Sequence, residues 1–472
     1  MKLKRILFLM LIMASNVSFS QQFSKDVTEF ISHNSPVTAI TQVILIDGTG
    51  KVVQKNQDVV IEKGKIIDIG NHGMVKIPNN ALVINGLGKT LIPGLIMLHE
   101  HLFYGKPYKG HYKLVAMPYT FPKMYLAGGV TTIRTAAAIE ANTDINIKNQ
   151  IDKGELIGPN IDVTSPLIER KNKILQLQTL YENDNIEDWL NYWFLKGVTS
   201  VKAYNHITKE DLNKIIKFSH DKGFKVTGHL CSITYREAAE MGIDNLEHGF
   251  RPATDFVKNK PEDQCVDGLN TLSMHDANDP EMLELMNFLI EKNVTLTYTP
   301  TDREPFTGRE VVLGGAEVSL APYLMEQMQE IYDTRANTKR DSIVNVFFKT
   351  EMARIKKFYA LGGKITVGTD PTGSGRVIAG YANQRVLELL LEADFTTEEA
   401  VKIASFNGAY YLNISDKTGT IEIGKNADLV LIDGDLTQDI SNIRNVETVF
   451  KSGIGFDSKK IFDSVKGQVG LD

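Results

Sequence analysis

The feature that most constrains the fold is a repeat of strand, loop and helix that runs from residue 93 to about residue 412. Short segments rich in Val, Ile and Thr alternate with longer segments of helical character. The eight strand segments span residues 91–101, 129–135, 160–165, 197–204, 224–229, 243–249, 294–300 and 363–370. Eight strands that alternate with helices predict an α/β fold, a (β/α)8 TIM barrel over residues 93–413.

The segments on both sides of this repeat also have strand character. Residues 37–92 contain short alternating runs separated by tight turns, including a hairpin signal at Lys63–Gly64. Strand character returns after the last helix, at residues 419–432 and 446–451. We therefore predict a small β-sandwich domain assembled from residues 37–92 and residues 414–472.

The first 20 residues have the pattern of a secretory signal peptide. Residues 2–5 are rich in basic side chains, residues 6–13 are apolar, and Ser18 and Ser20 are small residues before the expected cleavage site. This segment is too short to remain as a membrane anchor. We expect an exported protein without an anchor after cleavage, periplasmic if the source is a diderm bacterium.

Composition narrows the classes of partner. The chain of 472 residues has 42% hydrophobic and 23% charged residues and a formal net charge of -6, which does not favour nucleic acid. The sequence leaves open whether the protein forms a homo-oligomer.

The two cysteines, Cys231 and Cys265, are too few for a disulfide framework. We interpret them as buried, unpaired thiols, with a single disulfide in an oxidising compartment as the alternative.

Six polar residues fall at or near the carboxyl ends of the predicted barrel strands, where barrel enzymes place their active sites. The first strand ends in His99-Glu100-His101. Because alternate residues of a strand share a face, the two imidazoles can converge while Glu100 points away. Imidazoles and carboxylates are ligands that zinc-type ions prefer, so the set predicts a metal centre. The six residues are His99, His101, Lys202, His229, His248 and Asp370.

Four histidines, a lysine and an aspartate suit two ions better than one. An ammonium cannot bind a cation, but the carbamate that Lys202 forms with carbon dioxide can bridge two divalent ions, for which zinc is the expected metal. A water between the ions would become a hydroxide near neutral pH, and Asp370 would accept its proton and deliver it to the leaving group. One ion would be bound by His99, His101 and Asp370, and the other by His229 and His248.

Each of these residues also has a structural interpretation. A lone histidine such as His229 is usually a surface or satisfied core residue, and a lysine on a strand usually reaches solvent. An aspartate after Gly-Thr, as at Asp370, is usually a turn former or a helix cap. Six polar residues placed by chance at six strand ends are less probable than six residues that belong to one shared site. The remaining histidines away from strand ends, interpreted as bystanders, are His111, His206, His220 and His275.

Further motifs make the chain similar to a known group of enzymes. Residues 88–96 read GKTLIPGLI and residues 128–134 read GGVTTIR. Residues 406–409 read FNGA, followed by GTI at 419–421 and GKNADL at 424–429. With these motifs the sequence resembles the amidohydrolase superfamily over nearly all of the mature chain. The resemblance is to the branch related to imidazolonepropionases and metal-dependent Xaa-Pro dipeptidases.

The resemblance implies a hydrolase that cleaves a C–N bond in an amide, dipeptide or cyclic amide by attack of a metal-bridging hydroxide. Its substrate would be a small molecule or short peptide. Tyr204, on the face of Lys202, is then a candidate to polarise the scissile carbonyl, or else a packed aromatic at the barrel rim. Arg134 is a candidate to bind a substrate carboxylate, or else pairs with a neighbouring acid. Met97 and Thr135 stand where the family often has aspartate, but neither position is a metal ligand.

Two other functions stay open from the sequence. The same metal site could hydrolyse a lactone or a phosphoester, and the scaffold could serve as a non-catalytic binding protein, which would be expected to lack ligands. Long connections at residues 250–278 and 301–340 follow the sixth and seventh strands. We interpret both as segments that cover the substrate.

Overall fold

The chain folds into a mixed α/β structure with a set of parallel strands and a separate accessory sheet. The predicted signal peptide at residues 1–20 lies outside the described residues. Across the described ranges, each helix is either too short or too polar to cross a bilayer. The computed structural model describes residues 23–108, 111–170, 179–328, 341–371 and 377–471.

Eight strands, called barrel strands one to eight, pair in parallel in chain order within a three-stranded and a five-stranded sheet. Isolated parallel bridges at Thr164 and Ile168 connect the region after strand three to strand four. On the other side, the amides of Thr369 and Asp370 donate to the carbonyl of His99, at 3.1 and 3.0 Å. The barrel strands are Leu95–Glu100, Val130–Thr135, Asn160–Asp162, Ser200–Ala203, Lys225–Gly228, Asn245–Glu247, Thr295–Tyr298 and Lys364–Val367.

Helices alternate with these strands, and local signals set their ends. Thr208 accepts a hydrogen bond from the amide of Asp211 at 3.1 Å, and Gly223 has a φ of +80° just beyond the helix, the positions that threonine and glycine favour at helix ends. The helices are Lys25–Thr28, Thr120–Ala127, Ala141–Asp152, Ile186–Lys196, Lys209–Asp221, Tyr235–Glu240, Leu269–Leu272, Pro280–Glu291, Asp341–Ala360, Tyr381–Glu392, Thr397–Ala404, Phe406–Tyr411 and Ser458–Asp463, and residues 322–328 are also helical.

The accessory domain combines both ends of the chain, as predicted, but its strands form one continuous nine-stranded sheet. The two ends meet where Thr90–Pro93 pairs antiparallel with Leu429–Ile432. Lys63 and Gly64 have φ values of +48° and +77°, the signature of the predicted hairpin turn. A separate apolar core lies within this domain. Its strands are Ile31–His33, Val37–Leu45, Gln54–Glu62, Lys65–Asn71, Leu82–Asn85, Thr90–Pro93, Leu429–Ile432, Val446–Lys451 and Ile454–Asp457.

An antiparallel hairpin, Phe103–Tyr108 with His111–Ala116, follows barrel strand one. The sequence analysis does not predict it. The described parts of the two long connections contain a short helix, three 3-10 turns and the helical residues 322–328. Residues 329–340 of the second connection lie outside the described part. None of their described residues lines the cavity above the candidate site, whereas Phe103 and Leu114 of the hairpin do. The expectation that these connections cover the substrate is therefore not supported by the described residues.

The two cysteines form a disulfide, so the prediction of unpaired thiols was wrong. Cys231 and Cys265 are bonded, with Cα atoms 4.7 Å apart. The physical reason is that the connection after strand six folds back onto the loop after strand five. Thr254 Oγ1 donates to the carbonyl of Cys231 at 3.2 Å, and Lys260 donates to the carbonyl of Ser232.

Replacing both cysteines by serine is expected to lower the free energy of unfolding by up to about 3–4 kcal/mol, because the bond closes a loop across 34 residues. Urea unfolding of the variant and the parent measures the difference. Thiol titration of the unreduced, denatured parent should find no free thiol. An unchanged unfolding midpoint in the double variant would contradict a stabilising role for the disulfide.

Candidate metal centre

The two histidines at the end of barrel strand one meet the aspartate that follows strand eight. Nε2 of His101 lies 3.1 Å from Asp370 Oδ1, and Nε2 of His99 lies 3.6 Å from the same oxygen. Each of the three side chains offers a ligand atom within 4.8 Å of the other two. Glu100 points away and accepts hydrogen bonds from the Thr369 amide and Asn383. The structure thus brings the three predicted ligands of one ion together.

The two other predicted histidines lie beside this group. Nδ1 of His229 is 3.1 Å from Nε2 of His248, and the ring of His248 lies 4.4 Å from that of His99 between centroids. Burial lowers the pKa of His229 and His248 well below its usual range, and nearby Lys202 acts in the same direction on His229. Both imidazoles are therefore neutral, the form that binds a metal ion.

Two residues of this cluster have strained backbones. His248 and Asp370 have φ values of +65° and +53°, in the left-handed region that residues other than glycine rarely adopt. Such strain costs about 1–3 kcal/mol per residue and concentrates at functional sites. The hydrogen bond from the Asp370 amide to the His99 carbonyl holds one of these conformations in place.

Lys202, at the end of strand four, is 1% exposed and lies at the floor of the same cluster. Its Nζ is 3.2 Å from Glu247 Oε1 but makes no hydrogen bond of acceptable geometry. Burial lowers the pKa of Lys202 to about 8, although the charge of Glu247 opposes the shift. Roughly a tenth of this amine is therefore uncharged at pH 7, far more than for a lysine with an ordinary pKa.

Glu247, which the sequence analysis missed, orients the first histidine. It is fully buried, and Nδ1 of His99 donates to its Oε2 at 2.7 Å. Its other oxygen accepts a hydrogen bond from Arg134 at 2.8 Å. Burial by itself would raise the pKa of Glu247, but Lys202, Arg134 and His99 hold it well below its usual range. A glutamate directly before a predicted metal-binding histidine, on a predicted barrel strand, was the available signal, because an unpaired buried carboxylate is rare.

Replacing Glu247 by glutamine is expected to weaken metal binding by about 10–100-fold, because an outer carboxylate fixes the tautomer and direction of a ligating histidine. Competition with a chelator measures the affinity. Glu210→Gln, in an exposed pair with Lys214 on helix Lys209–Asp221, is the matched control and should leave the affinity unchanged. Equal affinities in the two variants would contradict the assigned role.

Arg134 does not occupy the position predicted for a substrate ligand. Its side chain is fully buried and does not line the cavity. It donates to the Leu98 carbonyl at 2.8 Å and to the side chains of Asn245 and Glu247 at 3.1 and 2.8 Å. The geometry supports the alternative interpretation, in which Arg134 pairs with a neighbouring acid.

A cavity of about 240 Å³ opens above the cluster, and Tyr204 lines it together with all six predicted ligands. The ring of Tyr204 lies edge-on to His229, with centroids 5.2 Å apart. Burial raises the pKa of the Tyr204 hydroxyl further above its ordinary value, so the group stays protonated and can donate a hydrogen bond.

Asp302 is a second acidic residue near the cluster that the sequence analysis missed. Asp302 offers a ligand atom within 4.8 Å of ligand atoms of His248 and Asp370. It also pairs with Arg251 at 3.1 Å.

Two of the histidines that the sequence analysis interprets as bystanders pair with acidic residues away from the cluster, His220 with Asp244 and His275 with Asp279.

Comparisons with known proteins agree with this geometry. The Amidohydrolase family model matches residues 90–455. An imidazolonepropionase from Geobacillus sp. (strain WCH70) is 22% identical over 407 residues, covering 80% of this chain and 84% of that protein. An enamidase from Eubacterium barkeri is 22% identical over 409 residues, covering 82% and 86%. The solved structure of a Xaa-Pro dipeptidase with methionine bound in its active site has a TM-score of 0.64 at 20% identity, covering 89% of this chain and 100% of that one.

The family match spans most of the sequence, so the chain belongs to the amidohydrolase family. It is a hydrolase that acts on carbon–nitrogen bonds. The structural similarity supports the fold of a TIM barrel with an additional domain.

Proposed function

We propose that the protein hydrolyses an amide bond in a dipeptide, an N-acyl amino acid or a cyclic amide, using two divalent metal ions. The observation that carries the proposal is the convergence of four imidazoles, Asp370 and Lys202 on one wall of a single cavity. We also take the eight strands to form a closed barrel, supported by the hydrogen bonds from Thr369 and Asp370 to His99.

The residues present fit a pair of ions. His99, His101 and Asp370 would hold one ion, and His229 with His248 the other. Lys202 would contribute to both as a carbamate, and its buried Nζ, which lacks a hydrogen bond, is the observation that supports this. The uncharged amine attacks the carbon of carbon dioxide and releases one proton to solvent. Divalent ions such as zinc would lower the pKa of a water and polarise the scissile carbonyl.

The side chains of this chain then have distinct roles in the reaction. Asp370 accepts a proton from the attacking water and passes it to the leaving nitrogen. Tyr204 donates a hydrogen bond to the carbonyl oxygen as negative charge develops there. The C–O bond forms as the C–N bond breaks, so one water yields a carboxylic acid and an amine.

Metal analysis and a substrate panel test the proposal together. Protein from cells grown with zinc and bicarbonate is expected to carry close to two metal ions per chain. It should also hydrolyse members of a panel of dipeptides and N-acyl amino acids. If the protein hydrolysed only lactones or phosphoesters, the assignment of an amide as the scissile bond would be wrong. If metal-loaded protein hydrolysed none of these compounds, the proposed catalytic function would be overturned.

We also propose that the mature protein is exported. The disulfide between Cys231 and Cys265 supports this, because such bonds persist mainly outside the reducing cytosol. N-terminal sequencing of protein from culture fractions is expected to begin at Gln21. Retention of the full chain in the cytosolic fraction would contradict export.

A further inference from the structure

The residues that line the cavity above the metal centre fall into two chemically different groups. One group is the cluster of predicted ligands together with Tyr204. The other group is apolar and comes from three places: residues 136–139 after barrel strand two, Leu167 after strand three, and Phe103 with Leu114 of the hairpin. We call these residues the apolar wall.

The apolar wall is built into the metal centre. The carbonyl of Ala137 accepts a hydrogen bond from Nδ1 of His101 at 3.1 Å, so the backbone that orients a predicted ligand also presents the wall. Ala137 has a φ of +136°, a strained conformation for a residue with a side chain. The ring of Phe103 packs on His101 with centroids 4.6 Å apart. The wall therefore has a fixed position relative to the reacting bond.

In the described part of the cavity surface, the charged side chains belong to the group of predicted ligands. Among the described residues that line the cavity, Lys202 is the one lysine or arginine, and it lies within the predicted metal site. Arg134 is buried outside the cavity and already paired with Glu247. A substrate carboxylate against the apolar wall would lose its hydration without a counter-charge, which is costly. An apolar group there would instead gain from burial.

We propose that the substrate places an uncharged apolar group, a branched aliphatic or aromatic one, against this wall. The inference rests on the proposed amide hydrolysis and names its substrate class: amides in which an apolar, uncharged group adjoins the scissile bond. Acidic amides of the same shape are predicted to be poor ligands.

Three amides of nearly equal shape test this: isovaleramide, malonamide and malonamate. Binding to the zinc-loaded protein is measured by calorimetry or ligand-observed NMR, and hydrolysis by release of ammonia. Isovaleramide is expected to bind at least about tenfold more tightly than malonamate, with malonamide between them. Equal affinities, a reversed order or no binding of isovaleramide would overturn the inference.

The two readouts separate this inference from the proposed function. If the binding order holds and no amide is hydrolysed, the proposed hydrolysis of such amides fails and the assignment of the wall stands. If the amides are hydrolysed without any preference in binding or turnover, the proposed hydrolysis stands and the assignment of the wall fails.

A charge placed at the rim of the cavity gives a second test. Leu114 is 39% exposed, so a lysine is tolerated there. Leu114→Lys is expected to shift the ratio of malonamate to isovaleramide affinity by about tenfold towards the acid. Leu195→Lys, on the outer helix Ile186–Lys196 at an 84% exposed position, makes the same chemical change away from the cavity. An equal ratio in both variants would overturn the inference.

Discussion

Replacing Asp370 by asparagine is expected to lower kcat by about 10²–10⁴-fold, the contribution of a positioned acid–base group, while most of the bound metal is retained. Asparagine keeps the size of the side chain and an oxygen that can bind a metal ion, but it cannot take up the proton of the attacking water. Burial would raise the pKa of Asp370, yet His99 and His101 hold it well below its usual range. The native carboxylate is therefore ionised.

The competing explanation is that Asp370 only caps a turn, and Asp255 provides the control. Asp255 is a half-buried aspartate that accepts hydrogen bonds from the amides of Tyr235 and Arg236 at 2.9 and 3.0 Å, at the start of helix Tyr235–Glu240. Asp255→Asn should cost about 1 kcal/mol of stability, as loss of a cap does, and leave kcat near normal. Measuring kcat, metal content and melting temperature on the same preparations separates the two roles. If Asp370→Asn behaved like Asp255→Asn, Asp370 would have no catalytic role.

The order of the elements could be predicted because the sequence signals for it are local. All eight barrel strands were placed from short runs of apolar and β-branched residues, and the turn at Lys63–Gly64 followed from residue type. The hairpin after barrel strand one was missed, because its Gly, Pro and Lys residues interrupt the alternation that predicts a strand. Contacts between segments that are distant in the sequence could not be predicted either, because no local sequence pattern reports them. The disulfide joins two connections whose approach depends on how strands five and six are placed.

The residues of the candidate site likewise divide into those that local sequence patterns predict and those that they do not. His99 and His101 were assigned to one point because strand alternation fixes their common face. Glu247 and the buried position of Arg134 were not predicted, because each is defined by its partner on another strand. The sequence shows a charged residue on a strand, but whether that charge meets solvent, substrate or a counter-charge depends on the neighbouring strands.

Lys202 is the predicted ligand whose chemistry the structure constrains most. An ammonium at this position would be buried without a hydrogen bond, 3.2 Å from a glutamate that is also bonded to Arg134 and His99. With a pKa of about 8, the amine is available in its uncharged form to react with carbon dioxide. The carbamate replaces a positive charge by a negative one near the carboxylates of Glu247 and Asp370, so it is stable only if cations occupy the site.

Lys202→Ala is therefore expected to lose at least one metal ion per chain and more than about 10²-fold in activity, since even groups that only orient ligands contribute 10–100-fold. Acetate or propionate at high concentration should restore part of both, because a short carboxylate can occupy the space and charge of the lost carbamate. Carbon-13 NMR of the parent loaded with labelled bicarbonate should show a carbamate carbon that the variant lacks.

Lys451 supplies the matched control, because removing any buried lysine could disturb the fold. Lys451 ends accessory strand Val446–Lys451, and burial also lowers its pKa to about 8. Its Nζ donates to the carbonyl of Gly158, before barrel strand three, at 2.9 Å. Lys451→Ala should change stability but neither metal content nor the response to added carboxylate. Carboxylate rescue in both variants, or full activity of Lys202→Ala, would end the assignment of Lys202 as a bridging ligand. Rescue confined to Lys202→Ala would require a carboxylate-sized anion at that one position, because a general loss of packing cannot be repaired by charge.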